Sequence, residues 1–433
     1  MAHSFRGGIR LREDRALFSA PIQAYQAGEF VRLPLLFDGA RYEVLVTAGD
    51  RVKKGQSLLR THAFEQPFDV HSPVSGKVVK IESSAEDENC AVLLLENDFK
   101  EELCEDIAPF SESIASSTPE ALEEVLRRRG LLDPQGDGTP LFVRVQKARG
   151  KAKTVIIACG GKDADIAVHH RLILDHTQEV VGGAKIILSA LGAQRAVFAV
   201  SLAREEEVEV LLEKTKDSDA FDVLSIRAMY PAMEDALLHF AVTGKKNPPR
   251  QNSKAIEVPV FSAVLCFHVY RAFTTGLPQI TSLISAGGGA VAEPANLMIP
   301  IGTSVREAID RCGGLAGHGG IILSGGVMRG APAQGLREII TKKMLAITCI
   351  EETTQAMPSV CLSCGRCLSA CPVQLNPKAL YTALGNKGKK EEKAIQRIAS
   401  FCLQCGSCSF VCPAHLPLTE TFSRAQRKGE EKQ

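Results

Sequence analysis

The sequence predicts a multidomain protein of the α/β class, and three observations lead to this prediction. The first hundred residues are rich in β-forming and turn-forming residues. Residues 130–250 alternate short apolar runs with segments of helical periodicity. Eight of the 14 cysteines lie between Cys361 and Cys412. A chain of 433 residues is long enough for about three domains.

The overall composition excludes several classes of function. Lys and Arg number 51 against 50 Asp and Glu, so a net charge of +1 gives no basis for binding nucleic acid. Apolar runs such as Val258–Phe267 reach about half the length of a membrane span, and we expect no direct membrane span. The N-terminal MAHSFRGGIRLRED has no apolar signal segment. We therefore expect a cytoplasmic chain whose thiols stay reduced.

Residues 1–100 are predicted to form a β domain. Val44–Val46 leads into TAGDRVKKGQ, and HSPVSGKVVKI follows, so Gly and Asp supply turns while valines supply a small core. This pattern resembles a barrel-sandwich hybrid of the lipoyl and biotinyl type. A carrier of that type needs a modifiable lysine between its two halves, and Leu58–Asp69 contains none. We therefore favour a structural module over a swinging-arm carrier.

Residues 119–298 are predicted to form a parallel α/β domain. After an acidic, Ser-rich linker, a helix is expected from Pro119 to Arg129, with Thr118 as its cap. Helix and strand then alternate, which is typical of a parallel sheet covered by helices. The expected strands are Lys153–Ala158, Arg195–Val200 and Phe221–Ile226, and the expected helical segments are Asp163–Leu191 and Glu205–Thr215.

Residues 299–350 are predicted to form a small separate unit. A strand ends at Ile301, a helix runs from Ser304 to Arg311, and a further strand covers Gly320–Ser324. The segment IGTSVREAIDRCGG resembles a β-grasp SLBB module. The Gly-rich stretch Ala286–Ala290 lacks the G-x-G-x-x-G pattern of a dinucleotide-binding turn, so we interpret it as structural.

Two cysteine runs carry the clearest chemical signal. Each has the form C-x2-C-x2-C-x3-C-P, the established run of bacterial ferredoxins. Three thiolates spaced by two residues can wrap one cubane cluster, and the fourth points towards a second cluster. Structural zinc is the alternative, but zinc sites usually use two C-x2-C pairs. The sequence thus predicts a helical domain at 351–425 that binds two [4Fe-4S] clusters.

All eight cysteines of these runs are predicted to be cluster ligands. The pattern pairs each fourth cysteine with the other run. The first cluster takes Cys361, Cys364, Cys367 and Cys412, and the second takes Cys371, Cys402, Cys405 and Cys408. Neither cluster keeps an open position, so this domain is expected to relay single electrons and to hold no catalytic residue. The scattered Cys90, Cys104, Cys159, Cys266, Cys312 and Cys349 are interpreted as small buried hydrophobes.

Taken together, the modules resemble the RnfC family, whose members belong to the Rnf ion-translocating ferredoxin:NAD oxidoreductase, also described as the SoxR-reducing complex. The matching stretches are HSFRGGIRL, VTAGDRVKKGQ with HSPVSGKV, RLILDHTQEVVGGAKIILSALGA, IGTSVREAIDRCGG and both cysteine runs. The resemblance implies two [4Fe-4S] clusters and a site for FMN and NAD(H) in the α/β domain. It also implies peripheral attachment, through partner subunits, to the cytoplasmic face of the membrane.

The sequence departs from the family pattern around the expected flavin site. The family's G-G-x-G-F-P-T loop corresponds to Gln135–Leu141, its E-C-E-P segment to Gly161–Ala164, and its Y-P-x-G-x-E-K segment to Tyr230–Ala236. Each has lost at least one family residue. The candidates that remain for FMN or NADH binding are Gly136, Gly138, Arg144 and Asp163.

Three functional hypotheses follow. In the first, the chain is an Rnf-type subunit that passes electrons between NAD(H), FMN and membrane partners, with ferredoxin among its donor or acceptor proteins. As an enzyme it would then be part of an NAD:ferredoxin oxidoreductase. In the second, it is an RnfC-like adaptor that has lost the flavin site and feeds a separate soluble reductase, as in the type associated with proline reductase. In the third, the clusters only stiffen a scaffold.

Overall fold

The computed structural model describes residues 3–37, 40–82, 91–246, 256–316, 320–351, 357–385 and 396–430. The strands are β1 (Ile22–Ala24), β2 (Phe30–Pro34), β3 (Leu36–Phe37), β4 (Ala40–Arg41), β5 (Glu43–Val44), β6 (Arg51–Val52), β7 (Ser57–Thr61), β8 (Phe68–His71), β9 (Gly76–Glu82), β10 (Val92–Asn97), β11 (Thr154–Ala158), β12 (Arg195–Ser201), β13 (Phe221–Ile226), β14 (Val260–Ser262), β15 (Thr281–Gly287), β16 (Ala295–Pro300), β17 (Gly320–Ser324), β18 (Ala331–Pro332) and β19 (Ala346–Glu351). The helices are α1 (Arg15–Ser19), α2 (Pro119–Arg128), α3 (Leu141–Ala148), α4 (Val168–Asp175), α5 (Thr177–Leu191), α6 (Glu205–Thr215), α7 (Asp235–Thr243), α8 (Ala263–Thr275), α9 (Val305–Arg311), α10 (Arg366–Ala370), α11 (Pro377–Gly385), α12 (Ser407–Phe410) and α13 (Leu418–Glu430). Within these ranges, no helix is both long and apolar enough to cross a membrane.

Two small antiparallel sheets and the antiparallel pair β3-β4 form the first β domain. One has the strand order β2-β10-β9-β6 and the other has the order β5-β7-β8. Alternate residues of these strands point inwards, because successive side chains of a strand face opposite sides. The side chains that fill the space between the sheets include Val31, Leu33, Leu58, Val78 and Leu93.

A four-stranded parallel sheet forms the centre of the α/β domain. Its order is β13-β12-β11-β14, and every neighbouring pair runs parallel. The run Thr154–Ala158 is rich in β-branched residues and is buried along almost its whole length, as expected for a strand with helices on both faces. The predicted parallel core is therefore present, and β13 has the predicted bounds. The long helical segment divides into α4 and α5 at His176.

A six-stranded mixed sheet, in the order β1-β16-β15-β19-β17-β18, forms a third unit. Strand β15 pairs antiparallel with β16 and parallel with β19, and α9 packs on this sheet behind a capping box of Ser304 and Glu307. Two features differ from the predicted divisions. β15 and β16 belong to this sheet although they fall within 119–298, and β1 joins it from the N-terminus. Apolar runs show that a strand exists but not which sheet it enters.

The C-terminal domain consists of helices and loops within its described residues. Helices α11 and α13 pack against each other around Leu380, Leu416, Leu418 and Phe422. Short helices α10 and α12 each follow a glycine in the left-handed conformation, Gly365 with φ +74° and Gly406 with φ +79°. The chain can therefore turn sharply inside each cysteine run.

Residues 3–14, which we call the N-terminal strap, run between the α/β domain and the C-terminal domain. The backbone of Ile9 exchanges two hydrogen bonds with Tyr230, and the Gly8 N–H donates to the Ala370 carbonyl at 3.0 Å. Gly7 has φ +78°, and a Cβ atom there would lie 2.5 Å from the Cys371 carbonyl oxygen. Only glycine fits this position, because both the conformation and the space exclude a side chain.

Candidate cluster sites and ligand cavity

The first cysteine group lines one small cavity in the C-terminal domain. Cys361, Cys364 and Cys367 come from the first run and Cys412 from the end of the second, with Tyr381 of α11 beside them. Cys361 and Cys364 are exposed, so this group lies at the protein surface. Within the described residues, no three potential ligand side chains are close enough to hold a single metal ion.

The second cysteine group lines another cavity and is more deeply buried. Its members are Cys371, Cys402, Cys405 and Cys408. Backbone N–H groups point at two of the sulfurs: Leu375 donates to Cys371 Sγ at 3.2 Å and Gln404 donates to Cys402 Sγ at 3.3 Å. The structure thus brings together both predicted sets of four, including the two cysteines that cross between runs.

Burial dominates the electrostatics of the second group. It raises the pKa of Cys402 to about 12 and that of Cys408 to about 11, with neighbouring thiols adding to the effect. Four converging thiols, three of them buried, are costly to ionise without a compensating cation. An iron–sulfur core would supply that positive charge and take the sulfurs as thiolates. The donor set therefore fits a [4Fe-4S] cluster.

A cavity of about 830 Å³ lies at the carboxyl ends of β11, β12 and β13. Its floor is Cys159–Gly161 after β11, Ser201 at the end of β12, and Arg227–Met233 after β13. The strap and α1 form the opposite wall. Open parallel sheets bind their ligands at this edge, because loops after successive strands meet there.

Arginines give the cavity a positive lining. Five of them contribute, namely Arg10, Arg12, Arg15, Arg204 and Arg227. Arg204 pairs with Glu13 at 2.7 Å and lies over the Phe18 ring, while Arg227 donates to the Phe5 and Gly7 carbonyls. Guanidinium groups bind phosphate oxygens well. The residues present therefore fit a phosphorylated ligand.

The three acidic residues of the lining are already engaged by the protein. They are Glu13, Asp163 and Glu207. Glu207 is buried and accepts a hydrogen bond from His170 at 2.6 Å. Asp163 accepts backbone N–H bonds from Ala164, Met328 and Arg329. Burial raises its pKa to about 6, and the nearby Asp165 carboxylate adds to this shift.

The four residues predicted for the flavin site fall into two places, and a Cβ atom on Gly136 would lie 3.2 Å from the Arg144 guanidinium. Asp163 lines the cavity, whereas Gly136, Gly138 and Arg144 belong to the loop before α3 and to α3 itself, outside the cavity lining. Arg144 pairs with the buried Asp133 at 3.2 Å and lies over the ring of Phe261.

Sequence reasoning missed the arginines of the strap and of the strand ends. The sequence does indicate a local positive charge there, because the segment FRGGIRLREDR contains four arginines in a chain that is nearly neutral overall. The scattered cysteines are mostly buried as expected. Cys159, Cys266, Cys312 and Cys349 are buried, Cys104 is half-buried, and Cys90 lies outside the described residues.

Comparison with known families assigns each region. The RnfC barrel-sandwich hybrid domain matches residues 3–100, the Nuo51 FMN-binding domain matches residues 126–271, and a 4Fe-4S dicluster domain matches residues 353–413. The chain is similar to the RnfC family along most of its length. The predicted barrel-sandwich, flavin-type and cluster domains are thereby confirmed, as is the role of the protein as an iron–sulfur electron-transfer subunit.

Full-length relatives agree with this assignment. The chain is 29% identical to a subunit of the proton-translocating ferredoxin:NAD(+) oxidoreductase complex of Clostridium ljungdahlii, covering 90% of this chain and 86% of the relative. It is 26% identical to a subunit of the Na(+)-translocating ferredoxin:NAD(+) oxidoreductase complex of Acetobacterium woodii, covering 86% of each. Among solved structures, an NAD+-reducing [NiFe]-hydrogenase gives a TM-score of 0.49 at 13% identity, covering 74% of this chain and 62% of that chain.

Proposed function

We propose that this protein passes electrons between a nicotinamide nucleotide with FMN, bound at the large cavity, and other subunits of an Rnf-type complex, through two [4Fe-4S] clusters. One observation carries the proposal. Tyr230 lines the cavity, and its hydroxyl donates to the Cys405 carbonyl at 2.6 Å. The flavin-type cavity and the second cysteine group therefore share a wall.

The chain's own residues divide the work between the two regions. Cys361, Cys364, Cys367 and Cys412 would hold one cluster, and Cys371, Cys402, Cys405 and Cys408 the other. At the cavity, the arginines would hold the phosphates of FMN or the nucleotide, and the strap would keep water from the inner wall. When bound, FMN converts a two-electron hydride transfer into single electrons that clusters can carry.

The loop that holds Gly136 and Gly138 would support this site from behind. The Lys162 amine donates to the Gln135 carbonyl at 2.8 Å and pairs with Asp235 at 2.8 Å, so it ties the loop to the residues after β13. Asp163 would set the position of the β11 loop through its three backbone hydrogen bonds. These residues would act on the ligand through the cavity wall, and Arg144 would fix α3 against Asp133.

The expected partners are inferred from the complexes to which the relatives belong. Both relatives are subunits of ion-translocating ferredoxin:NAD(+) oxidoreductase complexes. We infer that this protein likewise assembles with membrane subunits, on the cytoplasmic face, and that ferredoxin is a donor or acceptor in the complete complex. Ion translocation then belongs to the partner subunits.

We also propose four domains, with the limits 1–100 and 351–425 for the first and the last. The two between them are the predicted 119–298 and 299–350 with their boundary moved to the start of β15, and the third domain is an SLBB β-grasp module. The β-grasp assignment is supported by a hairpin of β15 and β16, a single helix α9, and a final strand β19 that runs parallel to β15. On this topology the third domain would begin at β15 rather than at residue 299.

The test is spectroscopic. The full chain is purified without oxygen, supplied with iron and sulfide, incubated with FMN, and examined before and after NADH. We expect a flavin band above the broad iron–sulfur absorption, and bleaching of both by NADH. Clusters that dithionite reduces but NADH does not would contradict the flavin and nucleotide part of the proposal and favour an adaptor.

A pair of arginine variants tests where the ligand binds. Arg12→Gln removes a charge from the strap wall of the cavity, so we expect FMN or NADH to bind three- to tenfold more weakly. Arg195→Gln is the matched control, since Arg195 pairs with Asp222 at the opposite end of β12. Equal effects of the two substitutions would place the ligand elsewhere.

A further inference from the structure

Tyr230 connects the large cavity directly to the second cysteine group. Its ring lines the cavity, and its hydroxyl donates to the backbone carbonyl of Cys405 at 2.6 Å. Around this hydrogen bond, Leu237 of α7 packs with Leu403 and Cys405, and Phe5 of the strap covers them. The hydrogen bond thus lies among apolar side chains, where a hydrogen bond is stronger than in water.

Arg329 forms the second part of the same junction. Its Nε donates to the Tyr230 hydroxyl at 3.2 Å, and its guanidinium pairs with Glu234 at 2.6 Å and reaches the Leu403 carbonyl at 3.5 Å. Its backbone N–H donates to Asp163, which lines the cavity. One side chain therefore contacts the residues after β13 and the loop that carries Cys402 and Cys405.

The first cysteine group has a different environment. Cys361 and Cys364 are exposed, and the neighbouring Val360 and Leu362 are 84% and 67% exposed. Cys371, Cys405 and Cys408 are instead at most 8% exposed. The buried group faces the cavity, and the exposed group faces the solvent side of the domain.

We infer that Tyr230 and Arg329 are positioning residues that join the second cysteine group to the cavity and set the reduction potential of the cluster bound there. This inference rests on the proposed function, since it requires that both groups hold clusters. The order of the two sites follows from the same contacts: the group with Cys405 lies next to the cavity, and the group with Cys361 lies on the solvent-exposed side.

The physical reason is charge. Reduction adds one negative charge to a cluster, and hydrogen bonds and positive charges around its ligands stabilise the reduced form. The Tyr230 hydroxyl withdraws charge from the Cys405 carbonyl, and the Arg329 guanidinium lies beside the same loop. Removing either group should lower the potential of this cluster, and Arg329 should have the larger effect because its loss leaves the buried Glu234 unpaired.

The experiment is a redox titration of the reconstituted full chain, followed by electron paramagnetic resonance without oxygen. Cys361→Ala identifies the signal of the second cluster, which remains in that variant. Tyr230→Phe keeps the ring but removes the hydroxyl, and Arg329→Gln removes the charge. We expect Arg329→Gln to lower the one-electron reduction constant of the second cluster about tenfold, equivalent to about 59 mV, and Tyr230→Phe to lower it less.

Two controls separate this effect from a general loss of structure. Arg329→Lys keeps the charge and should restore much of the potential, and Tyr381→Phe, beside the first group, should leave the second cluster unchanged. If the Arg329→Gln variant loses iron, the reduction potential of the second cluster in the Tyr230→Phe variant decides the test. Unchanged potentials in variants with full iron content would overturn the inference, as would a shift confined to the first cluster. Failure of the unaltered chain to bind two clusters would instead refute the proposed function.

Discussion

The two cluster sites and the ligand cavity are built in opposite ways. Both cysteine groups come from one short segment, residues 361–412, and the spacing within each run already defines most of each site. The cavity is assembled from residues 9–18, 159–170, 201–207 and 227–233, which meet only after the sheet and the strap have formed. A site made by a local segment is therefore recognisable in a sequence, whereas a site made by strand ends and a distant strap is not.

The largest expected effect tests the local site. Cys361→Ala should remove one cluster and Cys402→Ala the other, because three thiolates hold a cubane poorly. Among the described residues, no fifth cysteine lines either group to replace the lost one. Each single variant should bind about four iron atoms instead of about eight. The double variant should lose the visible absorption and nearly all iron, measured after identical reconstitution.

Cys312→Ala is the matched control, because Cys312 is buried beneath α9 in the third unit, away from both cysteine groups. Its iron content should match that of the unaltered chain. Full iron content in the double variant would show that other residues hold the metal. The cysteine runs would then not define the cluster sites, although the spacing within each run predicts that they do.

The second prediction concerns the strap, on which the cavity depends. Gly7→Ala places a methyl group 2.5 Å from the Cys371 carbonyl oxygen at a φ of +78°. The left-handed conformation alone costs about 1–2 kcal/mol for alanine, and the overlap adds to this cost. The strap should therefore detach more often, and trypsin should cleave after Arg6 and Arg10 about ten- to thirtyfold faster when cleavage follows the population of the open form.

Gly150→Ala isolates the contribution of the overlap. Gly150 has a similar φ of +71°, but a Cβ atom there would meet nothing within 4 Å. Its conformational cost is local, so cleavage of the strap should stay at the rate of the unaltered protein. Equal rates in Gly7→Ala and the unaltered protein would mean that the strap does not depend on this close contact.

Much of the fold could be predicted because local patterns determine it. The valines and isoleucines of β11 and the periodicity of α6 define these elements, and Thr118 caps α2 as expected. Pairing between distant segments was not predictable. The strand Ile22–Ala24 joins β16, which lies far along the chain, and a three-residue strand gives no sign of its partner.

The candidate flavin residues show the same limit at the level of side chains. Gly136 and Gly138 match the Gly-rich family loop, and Arg144 follows it in α3; in the structure the Arg144 guanidinium pairs with Asp133 and lies over the Phe261 ring. The arginines that do line the cavity, such as Arg12 and Arg204, come from the strap and from the segment after β12. Sequence position does not reveal that these two segments face each other.

The smallest expected effect is a pH dependence of the stability of the folded protein, caused by Asp163 in the lining of the cavity. Burial and the Asp165 carboxylate raise the pKa of Asp163 to about 6, above its ordinary value of 3.8. The folded protein therefore binds this proton more tightly than the unfolded chain does. The contribution of Asp163 to stability falls as the pH rises from about 4 to about 6, and the penalty persists above that range.

Asp165→Asn should reduce this penalty, because it removes the like charge and still offers an oxygen to the Val327 N–H and the Thr348 hydroxyl. In urea at pH 7, the free energy of unfolding of the Asp165→Asn variant should exceed that of the unaltered protein by on the order of 1 kcal/mol. The gain should shrink towards pH 4.

The difference in unfolding free energy between the variant and the unaltered protein is free of contributions from buried histidines, because both proteins share them. One example is His71, whose pKa is lowered by burial to about 3. Asp217→Asn, in an exposed turn, controls for the lost charge, and an equal gain from it would show that the Asp163–Asp165 pair has no special role.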